Sequence, residues 1–254
     1  MTRTAVVLAG SRPGKDALAE RFGTDLKALI PVAGEPMVGR PVRALLASDQ
    51  VGAVLVLSQS PERIAAALPA DPRIECRESK GTIAETMLGL LDDPDMAWPV
   101  LVTTADHALL DPAMIDEFCR SAEGSDIAIG VVENATMLRR LPDTMRTWLW
   151  FRREGFTGAN LFLLKSPAVR PAIELWRLVE QDRKKVWRVL SLLGPSVMLA
   201  VAVRLISLEA ALARLSVRLG LIVRAVRMSN ALAGVDVDKP EDHALAEAIL
   251  RGEK

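Results

Sequence analysis

The sequence predicts an α/β protein: a mixed, mostly parallel sheet with helices on both faces, in a single domain of residues 1–254. Three observations carry that reading. Thr4–Leu8 is a short apolar run with β-branched residues that opens into Ala9-Gly10, as a buried first strand of a parallel sheet does. Further apolar runs recur, separated by segments of helix length, which is the spacing that right-handed crossovers between parallel strands require. A chain of 254 residues, half of them hydrophobic, can bury the core of one such domain together with an insertion.

The elements follow in order. After the first strand and its loop, Val38–Ala47 reads as a helix and Ala53–Leu57 as a second strand. Pro61–Leu68 reads as a helix with Ser60 as N-cap and proline at its first position. Thr82–Leu91 reads as a third helix, and Val100–Thr104 as a central strand ending at Ala105-Asp106. Asp111-Pro112 is a helix start leading Ala113–Ala122, and Ile127–Val132 is another apolar strand. From Arg183 to Arg227 nine basic residues and one acid, Glu209, interleave with Leu, Val and Ile, which predicts an insertion of amphipathic helices over about 183–228. Gly234–Asp242 returns to loop chemistry, and His243–Leu250 closes the chain as a helix.

Charge and cysteine content narrow the function classes. Lys plus Arg and Asp plus Glu are 32 each, so no global field points to nucleic acid. Cys76 and Cys119 have no neighbours at metal-ligand spacing and read as core thiols. The N-terminus runs directly into the first strand, without a long apolar stretch and cleavage site, which predicts a cytoplasmic protein. Between Arg188 and Arg204 lie fifteen uncharged residues, fewer than the roughly 20 a bilayer needs, and Gly194-Pro195 interrupts them. Leu208, Leu212, Leu215 and Leu219 share a helical face with Arg214 and Arg218 away from it, a pattern that suits packing on the core or peripheral contact with a membrane.

Five segments carry chemistry. The loop Leu8-Ala9-Gly10-Ser11-Arg12 follows a strand, where glycine lets backbone N–H groups approach phosphate oxygens and where Arg12 and, downstream, Lys27 can neutralise a triphosphate. The alternative is a βα turn with solvated basic residues. Asp106 stands at the end of a central strand, where an open α/β sheet places its ligands; the competing role is a turn or cap. If the chain is extended at Asp236-Val237-Asp238, both carboxylates point the same way and either can meet Asp106 around one hard cation. Glu241 and Asp242 read as first-turn helix residues favoured by the dipole. Ser79, Gly81 and Thr82 precede the third helix as nucleotide contacts or as an N-cap, and Gly158 and Asn160 lie in a polar turn that enters an apolar strand. No Ser-His-Asp triad is visible, and His107 reads as structural.

Lys27-Ala28-Leu29-Ile30-Pro31-Val32-Ala33-Gly34-Glu35-Pro36-Met37 after such a loop resembles the signature of the MobA-like NTP transferases, relatives of the sugar-phosphate and isoprenoid-precursor nucleotidyltransferases. Asp106-His107-Ala108-Leu109-Leu110 resembles that family's Asp-x-Pro-Leu-Leu segment, and Asp236-Val237-Asp238-Lys239-Pro240-Glu241-Asp242 its Asp-x-Asp-Thr-Pro-Glu-Asp ending. Here Ala108 replaces a proline, Lys239 a threonine, and the first loop lacks the second closely spaced glycine. The resemblance implies a Rossmann-like three-layer fold and transfer of NMP from an NTP, CTP or GTP, to a phosphorylated small molecule, with Mg2+ as cofactor and pyrophosphate as product. It implies a loop, Leu8 to Arg12, that wraps the triphosphate, and a lysine, Lys27, that positions the α-phosphate. It further implies Asp106 as Mg2+ ligand with Asp236 or Asp238, base and ribose contacts from Ser79, Gly81 and Thr82, and acceptor contacts from Gly158 and Asn160. The acceptor is expected to be a molybdopterin-type phosphate or a polyol or alcohol phosphate. The alternatives are an inactive nucleotide-binding regulator and a nucleotide-sugar glycosyltransferase, against which the Lys27 signature argues.

Overall fold

The computed structural model describes residues 2–11, 16–79, 81–181 and 205–253. Its centre is a mixed sheet. Strand β1 (Arg3–Leu8) lies between β4 (Val51–Ser58) and β6 (Val100–Thr104), parallel to both, and β4 pairs in parallel with β5 (Ile74–Glu78). A two-stranded ribbon of β2 (Pro31–Val32) and β3 (Glu35–Pro36) stands apart from the sheet. Beyond β6 the long strand β9 (Glu154–Leu164) runs antiparallel between β6 and β7 (Ile127–Glu133), with the short β8 (Leu149–Phe151) folded back on it. The edge strand β10 (Val223–Arg227) pairs in parallel with β7, so the order is β10-β7-β9-β6-β1-β4-β5.

Period-two burial along β1 divides the core. Ala5 and Val7 face one cluster with α2 (Gly39–Ala47), α5 (Pro112–Ser121) and the final helix, whereas Val6 faces a second with α4 (Ile83–Leu91) and α7 (Arg170–Gln181). This is the three-layer arrangement expected. Asp111 caps α5 through Met114 N at 2.8 Å, as read from the sequence. Ser60 stands at the N-cap of α3 (Pro61–Ala66) without a side-chain bond, and that helix is shorter than the sequence suggested. The first loop contains an unforeseen helix, α1 (Ala17–Arg21), capped by Asp16 through Leu18 N and Ala19 N at 2.9 Å each.

The stretch expected to be a helical insertion divides; residues 182–204 lie outside the described residues. Leu208–Leu219 is a helix, α8, capped by Ser207. Gly220, at φ +66°, ends it, and Val223–Arg227 joins the main sheet as a strand rather than continuing the insertion. Val223 and Val226 are buried there while Arg224 and Arg227 are exposed, the composition of a protected edge. The leucine face of α8 is accounted for by the core: Leu208 is buried, and Leu212, Leu215 and Leu219 pack on the second cluster. Among the described residues no helix is long and apolar enough to cross a membrane. Cys119 is buried, its thiol pushed up to about 11 by burial, and Cys76 is half-buried; both are free.

The strand β9 shapes the opening of the site. It pairs with β6 only over Val100–Val102 and meets β7 again at Gly158 after a register shift, so β6 runs on unpaired on that side to Thr104. Asn160 sits in this bulge at φ +47°, a conformation asparagine tolerates better than most side chains. Gly130 opposite is closely packed in the same bulge: a Cβ there would stand 3.1 Å from that of Leu161.

Candidate active site

The carboxyl ends of β1 and β6 bring together three groups from distant parts of the sequence. Lys27 opens a single helical turn, Lys27–Leu29, and its side chain is largely buried. Its ammonium donates to Asp106 Oδ2 at 2.9 Å and to Asp238 Oδ1. Thr104 Oγ1 donates to the other oxygen of Asp106 at 2.5 Å, and Val237 N donates to the Asp106 carbonyl at 3.0 Å. The strand end and the segment before the last helix, α9 (Pro240–Leu250), are thus stitched together. Burial alone would lower the Lys27 pKa, but the charge of Asp106 and the bonds to both carboxylates outweigh it and hold it above the ordinary lysine value.

Asp236 is turned to a different partner. Arg146, on the loop between α6 (Asn134–Arg140) and β8, bonds its carboxylate and also its carbonyl oxygen at 3.1 Å. The same guanidinium donates to Asp242 Oδ1 at 3.2 Å, and Asp242 Oδ2 accepts from Asp238 N at 3.3 Å and Lys239 N at 3.1 Å. Asp242, assigned by sequence to the helix dipole, therefore holds the backbone that bears Asp238. Burial raises the Asp236 carboxyl above its ordinary value; Arg146 pulls it down while Asp238 and Asp106 push it up. Sequence reasoning missed Arg146 because its partners are 90 and 96 residues away. The proline at N1 with Asp242 at N3 of α9 was the available sign of a backbone cap.

The remaining expected contacts surround this centre. Ala9 N extends the β1 ladder to Leu57 O at 2.8 Å, and Gln59 continues it with a side chain: Ser11 N donates to its Oε1 at 2.9 Å and its Nε2 donates to Ser11 O at 3.3 Å. Arg12 lies outside the described residues. Ser79 is buried at the end of β5 with its N–H on Ser58 O at 2.9 Å. Gly81 has φ +79° and leads into a capping box in which Thr82 Oγ1 accepts from Glu85 N and Thr82 N donates to Glu85 Oε2 at 2.8 Å. Thr82 is thus the cap that the sequence allowed as its alternative role. Gly158 pairs with Val131 and Asn160 lies in the β9 bulge, both against the middle of β7. His107 is buried, with Nδ1 3.3 Å from Thr103 Oγ1; burial pushes it down to about 4 against the pull of Asp106, so it is neutral and structural.

Among the described residues no group of three His, Cys, Asp or Glu side chains is arranged to hold a metal. Two carboxylates do converge on one cationic atom, and among the described residues Asp106 and Asp238 bond Lys27 while Asp236 and Asp242 bond Arg146. The hard carboxylate oxygens of Asp106 and Asp238 fit a divalent cation that takes one or two carboxylates and completes its shell with phosphate oxygens and water.

The profile of the MobA-like NTP transferase domain matches residues 5–193, three quarters of the chain, from within β1 through α7. The chain belongs to the MobA-like NTP transferase family. It is accordingly a nucleotidyltransferase. A hypothetical transferase from Thermus thermophilus is similar at 32% identity over 96% of this chain and 100% of its own, with a TM-score of 0.80. The fold recurs in a CMP:2-keto-3-deoxy-manno-octonic acid synthetase complexed with CTP, at 12% identity over 100% of both chains and a TM-score of 0.62. It recurs also in the 2-C-methyl-D-erythritol 4-phosphate cytidylyltransferase of Thermus thermophilus, at 16% identity over 99% of this chain and 100% of that one, with a TM-score of 0.55. No curated protein matches the sequence. As in other α/β folds, this MobA-like transferase gathers its charged residues at the carboxyl ends of the strands.

Proposed function

We propose that this MobA-like transferase moves the NMP group of an NTP, CTP first among the four, onto the phosphate of a small-molecule acceptor and releases pyrophosphate. The observation that carries the reading is the Lys27 ammonium set between Asp106 and Asp238 beside the loop that follows β1. CTP is placed first because the two cytidine-nucleotide enzymes named above share the fold over their whole length.

An acceptor phosphate oxygen attacks the α-phosphorus in line; a P–O bond forms as the bond to the pyrophosphate oxygen breaks, and its electron pair leaves with pyrophosphate. The nucleophile is already anionic, so positioning and charge neutralisation supply the acceleration and no general base is needed. Lys27 places a point positive charge at the α-phosphate, and Ser11, Gln59 and Ser79 shape the walls for nucleotide. Gly158 and Asn160, on the opposite side of β6, serve the acceptor. Asp106 and Asp238 would hold Mg2+, which would neutralise the phosphates and supply a Lewis acid.

Pyrophosphate release from each of the four NTPs, with Mg2+ and pooled phosphorylated sugars, polyols and pterins, tests this. The expected result is release with one NTP and one acceptor, reduced by roughly two to three orders of magnitude in Lys27→Met and Asp106→Asn. Full activity in Asp106→Asn would remove Asp106 from the reaction. NTP binding without release against every acceptor class would replace the transfer reading with the nucleotide-binding regulator.

A further inference from the structure

Asp236 and Asp238 flank Val237, whose N–H donates to the Asp106 carbonyl at 3.0 Å, yet the chain divides the three carboxylates between two cations. Lys27 engages Asp106 and Asp238, whereas Arg146, with only 11% of its side chain exposed, engages the carboxylate and carbonyl of Asp236 and the carboxylate of Asp242. Asp242 fixes the backbone of Asp238 through Asp238 N and Lys239 N, so the position of Asp238 has support besides the guanidinium. Besides its bond to Asp242, Arg146 supplies a partner for the carboxylate and the carbonyl of Asp236.

We infer that Arg146 is a positioning residue that holds Asp236 out of the cation site. The free protein then offers a divalent ion two carboxylates instead of three, and the ion enters with the NTP, whose phosphates complete its shell. Three carboxylates around one point favour tight binding of a divalent cation in the absence of nucleotide, and ions such as Ca2+ that accept more oxygen ligands than Mg2+ gain most. An ion held that firmly obstructs the entry of a metal–nucleotide complex. An arginine suits this role because its planar fork can bond a carboxylate and a carbonyl together, which a lysine ammonium cannot reproduce in the same geometry. The inference rests on the placement of the metal at Asp106 and Asp238 proposed above.

The test is Mn2+ binding to the full chain, read by the loss of the free-ion electron paramagnetic resonance signal, with and without CTP. Wild type is expected to bind Mn2+ weakly alone and tightly with CTP. Arg146→Gln is expected to bind Mn2+ alone roughly tenfold more tightly, the scale of removing one nearby positive charge and releasing a carboxylate. The double variant Arg146→Gln/Asp236→Asn is expected to return to the wild-type value. A purely structural arginine predicts the opposite sign, weaker Mn2+ binding in both variants together with a lower melting temperature, and that result overturns the inference. If the single variant does not fold, the double variant decides: Mn2+ affinity close to wild type supports the inference, and a roughly tenfold or greater loss, whether from a lost Asp236 ligand or a displaced site, overturns it. Failure of wild type to bind Mn2+ even with each NTP present would overturn the metal site itself, and is distinguishable from Arg146 variants that leave intact binding unchanged.

Discussion

Gly10 lies under the amide of Gln59: a Cβ added there would stand 2.9 Å from Nε2 and 3.2 Å from Oε1. The sequence assigned this glycine to phosphate approach, and the structure adds a neighbour that needs the same space. Gly10→Ala displaces the flexible end of Gln59 from Ser11 at little cost to the fold. The expected outcome is a melting temperature close to wild type with NTP binding weakened about fivefold, the loss of one to two modest hydrogen bonds, and a similar weakening in Gln59→Ala, both read by titration of NTP. Asp126 makes a second prediction. Its carboxyl lies below its ordinary value, mainly because Ile222 N donates to it at 2.8 Å and secondarily because Lys165 does so at 3.1 Å. Since the folded value lies below the unfolded one, this stabilisation is complete above the unfolded pKa and is lost as the pH falls through the folded value. Urea midpoints of wild type are therefore expected to fall more steeply below about pH 4 than those of Asp126→Asn, which lacks this titration. Asp106 and Lys27 were legible as candidates at this scale because each is a charge placed after an apolar strand or a glycine loop, where an α/β sheet gathers its ligands. Arg146 was not, because nothing within its own loop calls for an arginine.

At the scale of elements, the same leucine pattern has two physical outcomes, and contacts decide between them. α8 sets Leu212, Leu215 and Leu219 on the core beneath β10 and β7. Leu215→Asp is expected to lower stability by roughly 2–3 kcal/mol, measured by urea denaturation, because it places a carboxylate against that apolar cluster. A helix laid on a membrane would instead keep its stability and lose co-sedimentation with anionic vesicles. Around α8, Arg227 bonds Glu133, Glu154 and Glu209 and lies 5.1 Å from the Phe156 ring, tying β10 to β7, β9 and the helix. The strands β1, β4, β6 and β7 were legible because they are buried on both faces and read as apolar runs. β10 was not, because its exposed arginines imitate the polar face of an amphipathic helix over only five residues.

For the molecule as a whole, the proposed reaction predicts linkage between ligand and stability. A nucleotide that binds only the folded chain at 100 times its dissociation constant adds about 2.7 kcal/mol. The melting temperature is expected to rise with one NTP in the presence of Mg2+, to rise far less without the metal, and to respond little in Asp106→Asn; equal shifts with and without Mg2+ would count against the metal. By itself the sequence determined the α/β class, the alternation of strands and helices, the cap at Asp111, and the segments that hold the charged residues. These are local matters of periodicity, burial and helix-end chemistry, which a window of ten to twenty residues contains. Only the tertiary structure decided that Lys27 meets Asp106 and Asp238 while Asp236 faces Arg146, and that Val223–Arg227 is an edge strand. Those outcomes depend on which distant side chain arrives at a given point, and a charge is directed by its partner in space, which the spacing along the chain does not encode.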